Sequence, residues 1–267
     1  MEGKHKFLLF LLAASAFFAI FVNIAKPNAT PQVVKFESYT APVTQSHEEY
    51  TVILTGDSMT NVLGPNAQML NNYLEKLYPG NKFGIFNYGL GGTNILSLQD
   101  RLEDKTFVID HELEPILDRE FEIIIIESFG HNPLSQFPLE EGKKKMNEAL
   151  DKALTSITNS KPNANIIFLA TIAPNKLHYA QNVVDLSPDT RWLWAEERIA
   201  YILNHIDYAK AHNIPVINVY EKTLETTNGG DLKYISQDDF IHPSDLGKDF
   251  ISREIANYIW GNNILPH

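Results

Sequence analysis

Four consecutive isoleucines, Ile123-Ile124-Ile125-Ile126, stand between Glu122 and Glu127. A β-branched run this short reads as a strand, and a strand that is apolar at every position buries both of its faces. Both faces are covered only when helices pack on each side, which is the architecture of a parallel sheet in an α/β protein. Runs of similar character occur at Tyr50-Thr51-Val52-Ile53-Leu54 and over residues 83–88, 165–173 and 215–220. Between them, apolar residues recur at three- and four-residue spacings: Leu70, Tyr73, Leu74 and Leu77, then Met146, Leu150, Ala153, Leu154 and Ile157, then Ile199, Ile202, Leu203 and Ile206. A helical but irregular region is expected from Leu96 to about Leu117, and a last helix from Ser244 or Asp245 to Trp260. Five strands in β-α alternation predict a three-layer, doubly wound, mostly parallel five-stranded sheet in one domain.

The amino-terminal residues follow a different rule. Lys4, His5 and Lys6 precede a run of apolar and small residues, 7–22, that Ile24 and Ala25 extend. The run is close to the roughly 20 residues that span a bilayer as a helix. It lacks a good small-x-small cleavage site, so an uncleaved anchor is favoured over a cleaved signal peptide. Either way the flanking positive charge predicts export of the remainder. Residues 26–48, with prolines and no clear periodicity, read as a linker in which Val33-Val34 and Phe36 are candidates for a short edge strand. The expected organisation is therefore an anchor or signal segment at 1–25, a linker at 26–48 and a domain at 49–262.

A net charge of -11 argues against nucleic acid and against adsorption to an anionic membrane surface. The absence of cysteine excludes disulfides, thiolate metal sites and a cysteine nucleophile. No cofactor is expected. Gly89-Leu90-Gly91 has Asn94 where a dinucleotide fingerprint needs its third glycine, and neither a phosphate-binding Gly-Lys-Ser/Thr nor a His-Glu-x-x-His metal motif occurs.

Four polar signals fall at predicted strand ends or just after the last strand. The first strand breaks into Gly56-Asp57-Ser58-Met59, and the second into Gly89-Leu90-Gly91-Gly92-Thr93-Asn94. The isoleucine strand runs into Gly130-His131-Asn132-Pro133, and Asp239-Phe240-Ile241-His242-Pro243 precedes the last helix. Carboxyl ends of parallel strands share one edge, where open α/β sheets bind ligands, so these stretches should converge. A serine hydroxyl becomes a nucleophile when a base takes its proton and donors hold the resulting oxyanion. Asp239 and His242 have the spacing for a carboxylate to orient an imidazole toward Ser58, and Asp239 is preferred to Asp238 as its partner. Gly92, Asn132 and the Ser58 backbone N–H are the candidate oxyanion donors. In the long loop and helix after the fourth strand, Trp192 and His178 are candidates for substrate contact, as is His131. Packing is the commoner role for such tryptophans.

These four blocks, in this order, resemble the SGNH hydrolases of the GDSL esterase/lipase group over residues 50–260. The resemblance implies a flavodoxin-like fold and a serine esterase with Ser58, His242 and Asp239 as catalytic residues. It also implies an oxyanion hole of Ser58, Gly92 and Asn132. Pro133 departs from the usual aspartate of the third block. Phe129-Gly130-His131-Asn132 is similar to the version found in carbohydrate acetylesterases, which points to O-acetyl groups on extracellular carbohydrates as substrates. An O-acyltransferase of envelope polysaccharide and a non-catalytic carbohydrate-binding module are the alternatives.

Overall fold

The computed structural model describes residues 34–108, 111–226 and 228–266. Five strands form the central sheet: β1 (Glu49–Gly56), β2 (Lys82–Gly89), β3 (Ile123–Glu127), β4 (Asn165–Ala170) and β5 (Val216–Asn218). Their order is β2-β1-β3-β4-β5, with every neighbouring pair parallel. The helices are α1 (Ser58–Asn61), α2 (Gln68–Leu77), α3 (Leu98–Glu103), α4 (Leu139–Ser160), α5 (Pro188–Ala211), α6 (Val219–Lys222) and α7 (Asp245–Gly261). Two short antiparallel hairpins lie outside the sheet, Thr106–Val108 with His111–Leu113 and Leu224–Thr226 with Gly229–Gly230.

The isoleucine run divides between the two faces as strand geometry requires. Ile124 and Ile126 pack with Leu98 and Leu102 of α3, Met146, Leu150 and Leu154 of α4, and Tyr201 of α5. Ile123 and Ile125 pack on the other side with Leu70 and Leu74 of α2 and with Ile251, Ile255 and Ile259 of α7. β1 repeats the division, with Ile53 in the first cluster and Val52 and Leu54 in the second. The register sets the working edge: Gly56 pairs with Gly89, and Thr55 pairs with Ile126. The carboxyl ends of β1, β2 and β3 are therefore level.

Several boundaries differ from those expected. The fifth strand stops at Asn218 rather than Tyr220, because the Asn218 side chain accepts a hydrogen bond from the Glu221 N–H and caps α6. The fourth ends at Ala170, three residues early. Among the described residues after Leu96, the α-helical part is the six residues of α3, with 3-10 turns at Ile95–Ser97 and Ile116–Asp118 and the first hairpin following it. Val34 and Phe36 add no edge strand. Residues 34–48 instead lie along the sheet's amino-terminal end. Phe36 and Tyr39 are buried, the Tyr39 N–H donates to His212 O, and the Ile166 N–H donates to the Tyr39 hydroxyl at 2.9 Å. The expected membrane segment lies outside the described residues. Among the described residues no helix is long and apolar enough to cross a membrane.

Candidate active site

The site begins where β1 runs out of room for side chains. A Cβ on Gly56 would lie 2.1 Å from Thr60 Oγ1 and 2.8 Å from Glu127 Cβ, so only glycine lets the chain turn there. Asp57 follows as the N-cap of α1, its Oδ1 accepting from the Met59 N–H at 2.8 Å. Ser58 is the first helical residue, where helix geometry leaves the N–H without an intrahelical acceptor. It is half-buried.

The glycine turn after β2 closes over this helix. The Leu90 N–H donates to Gly56 O at 3.1 Å, and Asn61 Nδ2 donates to Gly89 O at 2.9 Å. A Cβ on Gly91 would lie 3.6 Å from that of Ser58. Gly92 is exposed, with φ +74, in the left-handed region that glycine enters without strain.

The third stretch is tied to the first by a buried carboxylate. Asn132 Nδ2 donates to Asp57 Oδ2 at 3.0 Å, across 75 residues of sequence. An amide NH2 carries two donors, so the second N–H of Asn132 stays available to a ligand. Burial raises the Asp57 carboxyl, against the lowering effects of the Met59 N–H, Asn132, His242 and Arg101. The His242 ring is thus near enough to act on Asp57 electrostatically, and it acts on His131 as well.

Asp239 and His242 form the arrangement their spacing suggested. His242 Nδ1 lies 2.5 Å from Asp239 Oδ2, while Asp239 Oδ1 accepts from the Ile241 and His242 N–H groups at 2.8 and 3.0 Å. Burial favours the protonated form of Asp239. The His242 ring and the two backbone N–H groups outweigh it and hold the carboxyl below its usual range. Asp238 is exposed and has no such contact with the ring. No hydrogen bond closes between the Ser58 hydroxyl and His242 among the described residues. Such contacts are often loose in a site without its substrate.

The three candidates for substrate contact fare differently. His131 is only 5% exposed, its Nδ1 3.4 Å from the Tyr179 hydroxyl and its ring tilted against the Tyr179 ring at 5.7 Å. Burial pushes its pKa down to about 3, so it is a neutral core residue rather than a wall of an open site. His178 stacks on Phe240 at 5.3 Å and so braces the His242 loop. Trp192 is half-buried, with Lys176 Nζ 4.8 Å from its ring.

Two charged residues escaped the sequence reading. Glu127, 1% exposed at the end of β3, accepts from the Ser128 hydroxyl at 2.5 Å and from the N–H groups of Phe129 and Asp57 at 3.0 and 3.4 Å. Burial and the neighbouring Asp57 charge push its carboxyl well above the usual range. Arg101, 3% exposed on α3, reaches the ends of β1 and β2. The only sequence signal for either was a charge interrupting an apolar pattern.

Comparison with known proteins bears on the family and the fold. The family model described as GDSL-like Lipase/Acylhydrolase matches residues 54–250. No individually curated protein matches. Among solved structures, a lipase/acylhydrolase from Enterococcus faecalis is 18% identical, with TM-score 0.55, covering 80% of this chain and 96% of that one. A protein from Parabacteroides merdae described as a GDSL-like lipase is 14% identical, with TM-score 0.57, covering 84% and 100%. An acetyl-xylooligosaccharide esterase from a Geobacillus is 16% identical, with TM-score 0.51, covering 79% and 94%. At these identities the likeness is one of fold.

Proposed function

We propose that this chain, which belongs to the GDSL-like lipase/acylhydrolase family, is a serine esterase whose nucleophile is Ser58. The observation that carries the reading is the Asp239–His242 pair, in a chain whose buried Asp57 both caps the Ser58 helix and anchors Asn132. Ser58 Oγ attacks the ester carbonyl carbon while His242 Nε2 takes its proton. Asp239 keeps the proton of the ring on Nδ1 and stabilises the imidazolium. The oxyanion is held by the N–H groups of Ser58 and Gly92 and by Asn132 Nδ2. Collapse of the tetrahedral intermediate expels the alcohol, which takes the proton from His242. Water, deprotonated by His242, then attacks the acyl-enzyme, and collapse of the second tetrahedral intermediate releases the acid as His242 returns the proton to Ser58 Oγ.

Acetyl esters of carbohydrates are the substrate class favoured by the Phe129-Gly130-His131-Asn132 sequence and by the acetyl-xylooligosaccharide esterase among the similar folds. The apolar residues 7–22 support an extracytoplasmic location with a membrane tether. The test is hydrolysis of p-nitrophenyl acetate and of acetylated xylo-oligosaccharides by wild type and Ser58→Ala. The variant is expected to lose at least about 1,000-fold in kcat while unfolding like wild type. Unchanged turnover in Ser58→Ala sinks the mechanism, and acetyl transfer to a sugar acceptor in place of water would make the chain a transferase.

A further inference from the structure

We infer that Arg101 is a positioning residue for the oxyanion hole, an inference that rests on the serine esterase reading above. Its guanidinium bonds the ends of β1 and β2 and the glycine turn, and it stands against the Phe129 ring of the third loop. Nη1 donates to Gly56 O at 2.5 Å and to Tyr88 O at 2.7 Å, the backbone just before Ser58 and just before the glycine turn. Nη2 donates to the hydroxyl of Thr93, the residue after Gly92, and to that of Ser97 at 2.8 Å. The guanidinium carbon stands 5.3 Å from the Phe129 ring centroid, in the turn that leads to Asn132. Phe129 has φ +52, a conformation that costs a non-glycine residue free energy and that packing must hold in place.

The sequence arranges this through helical spacing. Ser97 and Arg101 are four apart across the start of α3, so the side chain folds back along its own helix toward the strand ends. Burial lowers the Arg101 pKa to about 10, which leaves it cationic at neutral pH. The planar fork meets two carbonyls and two hydroxyls at once, and an ammonium on a single stem cannot reproduce that pattern. Gly92 lies next to that contact: the Thr93 hydroxyl, which accepts from Arg101, itself donates to Leu90 O at 2.6 Å and so closes the turn around Gly92.

The test uses Arg101→Gln and Arg101→Lys in the otherwise intact chain. Three readouts are compared with wild type: kcat and KM for p-nitrophenyl acetate, the rate of Ser58 labelling by a fluorophosphonate, and backbone amide exchange. In Arg101→Gln, kcat and the labelling rate are expected to fall about 100-fold, the loss typical of one oxyanion donor, with KM within about 3-fold. Amides of residues 90–96 should exchange about 10-fold faster while those of β3 stay protected. Arg101→Lys separates geometry from charge: a positioning role predicts a kcat loss of about 10-fold or more, whereas a purely electrostatic role predicts none. Should Arg101→Gln not fold, Thr93→Val removes one acceptor and is expected to lower kcat about 3-fold with the same local exchange signature. Wild-type kcat in Arg101→Gln and Arg101→Lys, or exchange that rises equally in β3, overturns the proposal. A wild-type protein that neither hydrolyses the ester nor is labelled overturns the esterase reading first, and this role with it.

Discussion

Asp57→Asn separates the function of the buried carboxylate from its contribution to stability. An asparagine at position 57 is isosteric, and its side-chain oxygen still accepts from the Met59 N–H, so α1 keeps its cap. Its NH2 group, however, faces Asn132 Nδ2 where Asp57 Oδ2 stood at 3.0 Å. Two donors cannot bond. Asn132 must swing away or flip its amide, and in either case the N–H proposed to hold the oxyanion is displaced. A hydrogen bond to a charged partner contributes about 1.5–3 kcal/mol, and loss of an oxyanion donor costs about 2.7–4 kcal/mol of barrier. A partial displacement should therefore cost about 2–3 kcal/mol, or roughly 30- to 150-fold in kcat. Stability should change little by comparison. Burial raises the Asp57 carboxyl, so ionised Asp57 is a charge the fold is penalised for holding above the ordinary carboxylate range, and it also presses on Glu127. A neutral amide removes both effects and offsets the lost contact. The assay pairs steady-state ester hydrolysis with denaturant unfolding at pH 7. An Asp57→Asn protein with kcat within about 3-fold of wild type would refute the reasoning, because Asn132 would then need no anchor.

Three further outcomes are expected. Asp239→Asn leaves His242 without the carboxylate that fixes its tautomer, and kcat should fall about 10³- to 10⁴-fold in the same ester assay. Because the Asp239 carboxyl is held below its ordinary value, its contribution to stability is present above the unfolded carboxylate pKa and lost as pH falls through the lower folded value. Wild type should thus lose stability relative to Asp239→Asn on acidification below about pH 4, measured by urea unfolding at several pH values. Tyr39→Phe strips the partner from the Ile166 N–H at the start of β4, and unfolding free energy should drop about 1–3 kcal/mol with kcat unchanged. Equal stability would mean that residues 34–48 are not fastened to the domain at that point.

How much was legible in the chain differs between the fold and the site. Ile123 to Ile126 announced a strand buried on both faces, and the helical spacings of Leu70, Leu150 and Ile202 supplied the layers, because apolar periodicity is a local property. The Asp239–His242 contact was also readable, since three residues of one short loop close it. Element ends were less so. Val219 and Tyr220 looked like strand, but the Asn218 side chain caps α6 and turns them into helix. His131 looked like a site residue because it stands within the third motif, yet it is buried beside Tyr179.

By itself, the sequence determined the parallel sheet, its helical cover and the identity of the four strand-end motifs, all of which depend on residues near one another in the chain. Only the tertiary structure decided that Asp57 holds Asn132, that Glu127 lies beneath Asp57, and that Arg101 binds the ends of β1 and β2 together. The physical reason is range. A hydrogen bond across 75 residues leaves no periodicity behind, and a buried charge is recognised by the partners that surround it.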